Sequence, residues 1–104
     1  DESETTAMIA GMYEHNGEVV DPHTAVGLVA LEKARAAGAV TGPAVTLATA
    51  HPAKFPDAVK AACGVWPGLP AHLSDLFERP ERLEVLAADA RILQQFVASR
   101  RGKD

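Results

Sequence analysis

Apolar residues recur with helical spacing in five stretches of this sequence. Ile9, Met12 and Tyr13 stand at i, i+3 and i+4, which puts their side chains on one face of an α-helix. The inward faces expected further along are Val59, Ala62 and Cys63, and then Ile92, Leu93, Phe96 and Val97. The pattern predicts helices near residues 3–15, 22–37, 56–63, 71–78 and 89–100.

Residues that favour helix termini flank these stretches. Asp21 precedes Pro22, and an aspartate cap followed by proline at the first helical position is a strong start signal. Ser3 is the expected cap of the first helix. Gly17 and Gly38 follow the ends of the first two helices, where glycine adopts the left-handed backbone that a helix end requires.

Gly27 lies inside the second predicted helix. Glycine in a helix interior costs about 1 kcal/mol relative to alanine. We therefore expect the helix backbone at Gly27 to pack closely against a neighbouring segment.

Two stretches have the pattern of strands. Residues 44–49 are small or β-branched, largely apolar on both faces, and follow Gly42-Pro43, which is typical of an interior strand of a parallel sheet. Residues 82–86 alternate polar and apolar side chains, as a half-buried strand near an edge does. With the helices, they predict an α/β fold, helix-rich, with a short sheet of two to three strands flanked by helices.

Length and charge narrow the class of protein. The 104 residues, of which 47% are hydrophobic and 23% charged, predict a single domain over residues 1–104. A net charge of −4, with no basic run longer than Arg100-Arg101, argues against nucleic acid and anionic membrane as partners. No apolar stretch approaches the roughly 18 residues of a membrane span. The single cysteine excludes an internal disulfide and favours the cytoplasm.

Histidine and cysteine offer little chemistry by spacing alone. His15, His23, His51 and His72 lie in four separate elements, without the i, i+4 pairs or Cys-x-x-Cys motifs of zinc sites, so no metal is expected. Cys63 falls on an inward helix face, where a lone cysteine usually acts as a small apolar group. A nucleophilic role for it would need an activating base nearby.

Three polar residues stand where the predicted strand at 44–49 meets the next helix. In open parallel sheets, ligands bind where strands end and loops begin, and Thr49, His51 and Lys54 occupy that place. Each has a structural alternative. The Thr49 hydroxyl could bind a nearby backbone carbonyl, and Lys54 could be either an anion ligand before a helix or a solvated loop residue.

Two segments resemble motifs of one enzyme family. Residues 47–55, LATAHPAKF, resemble the T-A-H-P-A-K-F segment near the C-terminus of threonine synthases. Residues 21–27, DPHTAVG, resemble the D/E-P-H-x-A-V segment upstream of it in that family. The order and separation of the two segments agree, and the resemblance covers essentially all 104 residues.

The resemblance implies a cofactor, a substrate and residue roles. Threonine synthases are fold-type-II pyridoxal 5′-phosphate (PLP) enzymes that convert O-phospho-L-homoserine and water to L-threonine and phosphate. In this group a Ser or Thr at a strand end faces the pyridine nitrogen, and Thr49 matches that position. His51 and Lys54 match the same motif as substrate or pocket residues. Asp21 and His23 match the second motif, although helix capping alone also explains Asp21.

One departure limits what this chain does by itself. The family's Schiff-base lysine and the glycine-rich loop that holds the cofactor phosphate lie upstream, and Lys33, Lys54, Lys60 and Lys103 are outside that lysine's motif. We therefore expect a C-terminal fragment of a longer enzyme that works with the N-terminal part of the same chain and contributes no catalytic residue. We expect it to be inactive alone. The alternative is a non-enzymatic helical interaction module derived from an enzyme domain.

Overall fold

The first half of the chain and the residues just after it form three α-helices, at positions close to those predicted. The computed structural model describes residues 1–101, and its first helices are α1 (Glu2–Asn16), α2 (Pro22–Ala36) and α3 (Pro56–Cys63). Gly17 and Gly64 close α1 and α3 with positive φ angles of 71° and 77°. The three predicted helices here are therefore confirmed to within one residue at each end.

The described chain divides into two units. The first, from Asp1 to Ser74, contains α1, α2 and α3 with short 3₁₀ helices at Pro52–Lys54 and Ala71–Leu73. The second begins at Asp75 and contains a 3₁₀ helix at Leu76–Glu78 and then α4 (Ala90–Arg100). In this second unit Arg79 binds Asp75, and Arg100 binds Glu84.

The core of the first unit lies where α1 packs on α2 and α3. Each helix contributes one fully buried apolar residue, Ile9 from α1, Ala25 from α2 and Val59 from α3. Ile9 and Val59 were both predicted to face inward. Burying side chains of this size stabilises the fold by about 1.5–3 kcal/mol each.

An ion pair joins α1 to α2 at the edge of this core. Lys33 Nζ lies 2.6 Å from a Glu4 carboxylate oxygen. The hydrogen bond from Lys33, with a further one from the N-terminal amine, lowers the pKa of Glu4 to about 2. Glu4 also completes a capping box with Asp1, whose side chain accepts from the Glu4 N–H at 2.9 Å. The predicted cap, Ser3, is wrong: it lies inside the first turn.

The close approach expected at Gly27 is confirmed. A Cβ placed on Gly27 would lie 2.8 Å from Thr46 Cγ2, closer than nonbonded carbon atoms can sit. Only a glycine lets residue 46 pass this close to α2, and Thr46 is thereby fixed against the helix. Thr49 and His51 follow three and five residues later, so this contact lies at the start of the segment that carries them.

The predicted sheet is wrong for the part of the chain that the structure describes. Residues 44–49 and 82–86 form no strand there, because a strand exists only where a neighbouring segment pairs with its backbone. Apolar side chains of both segments are also left in solvent: Val45 and Val85 are each 89% exposed. What remains of the α/β prediction is its helix-rich part.

Two helix predictions in the C-terminal third need correction. Residues 71–78 form two short 3₁₀ helices, Ala71–Leu73 and Leu76–Glu78, rather than one α-helix. The helix predicted at 89–100 forms as α4 with Asp89 as its cap, but its apolar face is not inward. Leu93 and Val97 are 54% and 55% exposed, because no described element covers them.

Among the helices of residues 1–101, none combines the length and apolar character needed to cross a bilayer. The same residues bring together no group of three His, Cys, Asp or Glu side chains suited to a metal ion. Cys63 lies half-buried on α3, where its thiol donates to the Val59 carbonyl at 3.3 Å.

Candidate functional site

The start of α2 is built around a buried carboxylate. Asp21 is 1% exposed, and its oxygens accept hydrogen bonds from the backbone N–H groups of His23 and Thr24 at 2.9 and 3.4 Å. The Thr24 hydroxyl also donates to Asp21. Burial raises the pKa of Asp21, but the bonds from Thr24 and His23 outweigh it and hold that pKa below its usual value. Asp21 is therefore an ionised cap.

Asp21 also orients the ring of His23. The His23 Nδ1 lies 3.2 Å from Asp21 Oδ1, and because an ionised carboxylate only accepts, Nδ1 carries the proton. The same ring contacts Phe55: the two ring centroids are 4.9 Å apart and the planes are tilted by 48°. Aromatic pairs favour this kind of separation and tilt. The first motif therefore contacts the second through His23 and Phe55.

Phe55 in turn lies beside Lys54 and at the junction of two helical turns. The Lys54 ammonium is 5.9 Å from the Phe55 ring centroid, within the range of a cation–π contact. The Phe55 N–H donates to the Pro52 carbonyl at 2.9 Å, and its own carbonyl accepts from Val59 at 3.1 Å. Phe55 thus closes the 3₁₀ helix at Pro52–Lys54 and begins α3.

His51 caps the 3₁₀ helix that carries Lys54. Its Nδ1 accepts from the Ala53 N–H at 3.2 Å, and its carbonyl accepts from the Lys54 N–H at 3.0 Å. Because Nδ1 is used as an acceptor, the neutral ring carries its proton on Nε2. His51 is exposed, so this Nε2–H is available as a donor to a ligand.

Side chains around Thr49 divide into two faces. Val45 and Leu47, which are 89% and 74% exposed, and Thr49, which is also exposed, face away from the helices. Thr46 contacts α2 at Gly27, and Ala48 and Ala50 line a cleft on the helix side. This is the period-two alternation of an extended segment, with the Thr49 hydroxyl on the uncovered face.

The cleft on the helix side is open and has a volume of about 590 Å³. It joins three stretches of the first unit: residues 18–21 with Thr24, residues 48 and 50–52, and residues 65–68. Asp21 and His51 therefore meet at one cleft, as their positions in the two motifs suggest. Thr49 and Lys54 do not line it.

Sequence reasoning missed two residues of this arrangement. Thr24 binds Asp21 through its hydroxyl, and the signal was its position three residues after the cap. Phe55 is part of the motif at residues 47–55, and the motif gives it no role, although it makes the contact with His23. An aromatic residue between two short helical turns gave no sequence signal that distinguished this contact from ordinary packing.

Comparison with known families gives a match over most of the chain. Residues 24–97 match the family described as "Threonine synthase, C-terminal". The matched range begins at Thr24 in the first turn of α2, includes residues 47–55 and ends at Val97 within α4. It therefore contains both faces of the segment around Thr49.

Individual relatives carry the same name. The threonine synthase of Pseudomonas aeruginosa is 50% identical over 105 aligned positions, which cover 98% of this chain and 22% of that protein. The threonine synthase of Methylobacillus glycogenes is 46% identical over 90 residues, covering 86% of this chain and 18% of that protein. The chain thus spans about a fifth of the length of these relatives.

A solved structure agrees with the sequence matches. The crystal structure of PLP-bound threonine synthase from Brucella melitensis superposes with a TM-score of 0.73 and 47% sequence identity, covering 94% of this chain and 20% of that one. The two chains are therefore similar in sequence as well as in fold. The chain belongs to the threonine synthase C-terminal family.

Proposed function

We propose that residues 1–104 act as the C-terminal part of a threonine synthase, a PLP-dependent lyase that converts O-phospho-L-homoserine and water to L-threonine and phosphate. The observation that carries the proposal is the match to the Brucella melitensis enzyme, which spans 94% of this chain and only 20% of that enzyme. The remaining four fifths of such an enzyme would supply most of the active site. The 104 residues alone would be inactive.

The uncovered apolar surface supports an N-terminal part of the same chain as partner. Val45 and Leu47 on one segment, and Phe77 and Val85 in the second unit, are between 74% and 89% exposed. Large apolar side chains that are left in water mark surfaces that another part of a protein covers. Strands from that part would also give residues 44–49 the backbone partners that residues 1–101 do not supply.

The residues present fit one contact with PLP. The Thr49 hydroxyl lies on the uncovered face and is exposed, so it can pair with a group that approaches from outside these residues. A threonine hydroxyl both donates and accepts, and pairing it with the pyridine nitrogen leaves that ring largely neutral. When bound, PLP supplies the electron sink for the reaction, and the protein supplies orientation and electrostatics.

His51 and Lys54 are the proposed substrate-side residues. Lys54 carries a positive charge that suits a phosphate group, and the His51 Nε2–H provides a directed donor. His51 caps the 3₁₀ helix that ends at Lys54, so the backbone holds the two residues close together. We assign them to binding of the substrate phosphate. The cytoplasm, where Cys63 would stay reduced, is the proposed location.

The test is an assay of the longer natural chain that contains residues 1–104. Purified with PLP, it is expected to release one phosphate and one threonine for each O-phospho-L-homoserine consumed. A chain that folds and binds PLP but forms no threonine from this substrate would refute the proposal. A natural chain without any PLP-binding part would favour the non-enzymatic interaction module.

A further inference from the structure

We infer that His23 is a positioning residue: held by Asp21, its ring fixes Phe55 and thereby the loop of residues 51–55 that carries His51 and Lys54. The inference rests on the proposed function for its kinetic readout. It also makes a structural claim that can be measured without any activity.

The first step is the rigidity of the anchor. Asp21 is buried and receives bonds from two backbone N–H groups, the Thr24 hydroxyl and the His23 ring. A side chain with this many partners has one accessible position, because moving it would break several bonds at once. The His23 ring is therefore bonded to a carboxylate that does not move, even though 60% of the His23 side chain is exposed.

The second step is the contact across the two motifs. His23 belongs to α2, and Phe55 lies 32 residues later, between the 3₁₀ helix and α3. The contact between the two rings, with centroids 4.9 Å apart, joins α2 to the residue that ends the 3₁₀ helix and begins α3. His23 bonds to the cap through both its backbone N–H and its ring, and the same ring contacts Phe55, so it links the anchored carboxylate to the second motif.

The third step is that the position of Phe55 determines the position of Lys54. Phe55 is bonded through its backbone to Pro52 and Val59, and its ring lies under the Lys54 ammonium at 5.9 Å. A shift of Phe55 would therefore change both the path of the loop and the place of the Lys54 charge. Small misplacements of binding groups reduce catalytic efficiency by large factors.

The structural test is hydrogen exchange in the full-length enzyme. The amides of Ala53, Lys54 and Phe55 are hydrogen-bonded within the loop, so their exchange reports its order. His23→Ala is expected to speed their exchange about tenfold or more, whereas His23→Phe, which keeps an aromatic ring against Phe55, retains part of the protection. His72→Ala is the control, since His72 is exposed on another 3₁₀ helix. Unchanged exchange in His23→Ala overturns the inference.

The kinetic test is a double-mutant cycle with Lys54. His23→Ala is expected to lower kcat/KM for O-phospho-L-homoserine about tenfold in the wild-type background and little in a Lys54→Ala background. Equal losses in both backgrounds would show that His23 acts only through general stability, and would overturn the inference. If the unaltered enzyme forms no threonine, the proposed function fails, and the exchange measurement alone decides the role of His23.

Discussion

At Gly27 two requirements of the backbone oppose each other. Alanine would favour the helix by about 1 kcal/mol, but its Cβ would lie 2.8 Å from Thr46 Cγ2. Thr46 is β-branched and its side chain is stiff, so the contact cannot be relieved by a simple rotation. Glycine is therefore kept here by packing rather than by backbone angle.

Gly27→Ala is expected to destabilise the 104-residue chain. Overpacking costs about 1–3 kcal/mol, which exceeds the helix gain, so the free energy of unfolding in urea should fall by about 1 kcal/mol. Gly11→Ala is the matched control, because a Cβ at Gly11 in α1 meets nothing within 4 Å. It should raise stability by about 0.5–1 kcal/mol. If both variants stabilise equally, the contact with Thr46 is unimportant.

Thr49 and Thr46 differ in the face of one segment on which they lie. In the full-length enzyme, Thr49→Val keeps the branched shape and removes the hydroxyl that is proposed to meet the pyridine nitrogen. Leaving a buried polar partner unpaired costs roughly 1–3 kcal/mol, so kcat/KM should fall about ten- to a hundredfold. Thr46→Val keeps the methyl group against Gly27 and should leave the kinetics nearly unchanged. Wild-type kinetics in both variants would make Thr49 a structural residue.

Among the helix ends, the cap of α2 has the most hydrogen bonds to one side chain, that of Asp21. Asp21→Asn keeps the size of the side chain but replaces one of its two acceptor oxygens with an NH₂ group. That group would face N–H and O–H donors, with which it cannot form hydrogen bonds. The free energy of unfolding at neutral pH should fall by about 1–3 kcal/mol. The control is Asp89→Asn at the cap of α4, whose side chain is 40% exposed and where asparagine is an equivalent cap. A loss at residue 89 as large as that at residue 21 would contradict the role of burial.

The same cap predicts the direction of a pH effect. The pKa of Asp21 is lower in the folded chain than its ordinary value, so the folded state keeps the carboxylate ionised where the unfolded chain takes up a proton. Its stabilisation is complete above the unfolded pKa of about 3.9 and is lost as the pH falls through the folded pKa. Urea unfolding should therefore show the gap between wild type and Asp21→Asn narrowing in acid. A gap that stays constant would contradict this assignment.

Local signals predicted α1, α2 and α3 well and the strands poorly, for one physical reason. A helix closes its hydrogen bonds within its own segment, so Gly17 sufficed to place the end of α1, and Asp21-Pro22 and Gly38 sufficed to place the two ends of α2. A strand needs partners elsewhere, and none of residues 1–101 supplies them to residues 44–49. The sequence, which is largely apolar on both faces of this segment, did not indicate the two different faces that the structure gives it.

The candidate site was predictable to the same extent. The resemblance to threonine synthases linked residues 21–27 with residues 47–55, and the cleft that Asp21 and His51 both line agrees with this link. The contact between His23 and Phe55 was not predictable, because it depends on how α2 and α3 pack. The roles of Thr49, His51 and Lys54 stay predictions, since their proposed partners lie outside these residues.

For the whole molecule, we expect the isolated 104-residue chain to bind PLP weakly. One hydroxyl contributes about 1 kcal/mol as a net hydrogen bond, whereas a micromolar complex requires about 8 kcal/mol. Titration of PLP, followed by its absorbance, should show no saturable change. A stoichiometric adduct at one lysine that survives borohydride reduction would contradict the expectation that cofactor attachment depends on the rest of the enzyme.

The most direct measurement of the central claim is an exchange of segments. Residues 1–104 would replace the 22% of the Pseudomonas aeruginosa threonine synthase that they match, and the same enzyme truncated at that junction would serve as the control. The hybrid is expected to form threonine and phosphate from O-phospho-L-homoserine with kcat/KM within about tenfold of the parent, while the truncated enzyme forms none. A hybrid that folds and binds PLP yet makes no threonine would contradict the claim that these residues are a working C-terminal part of a threonine synthase.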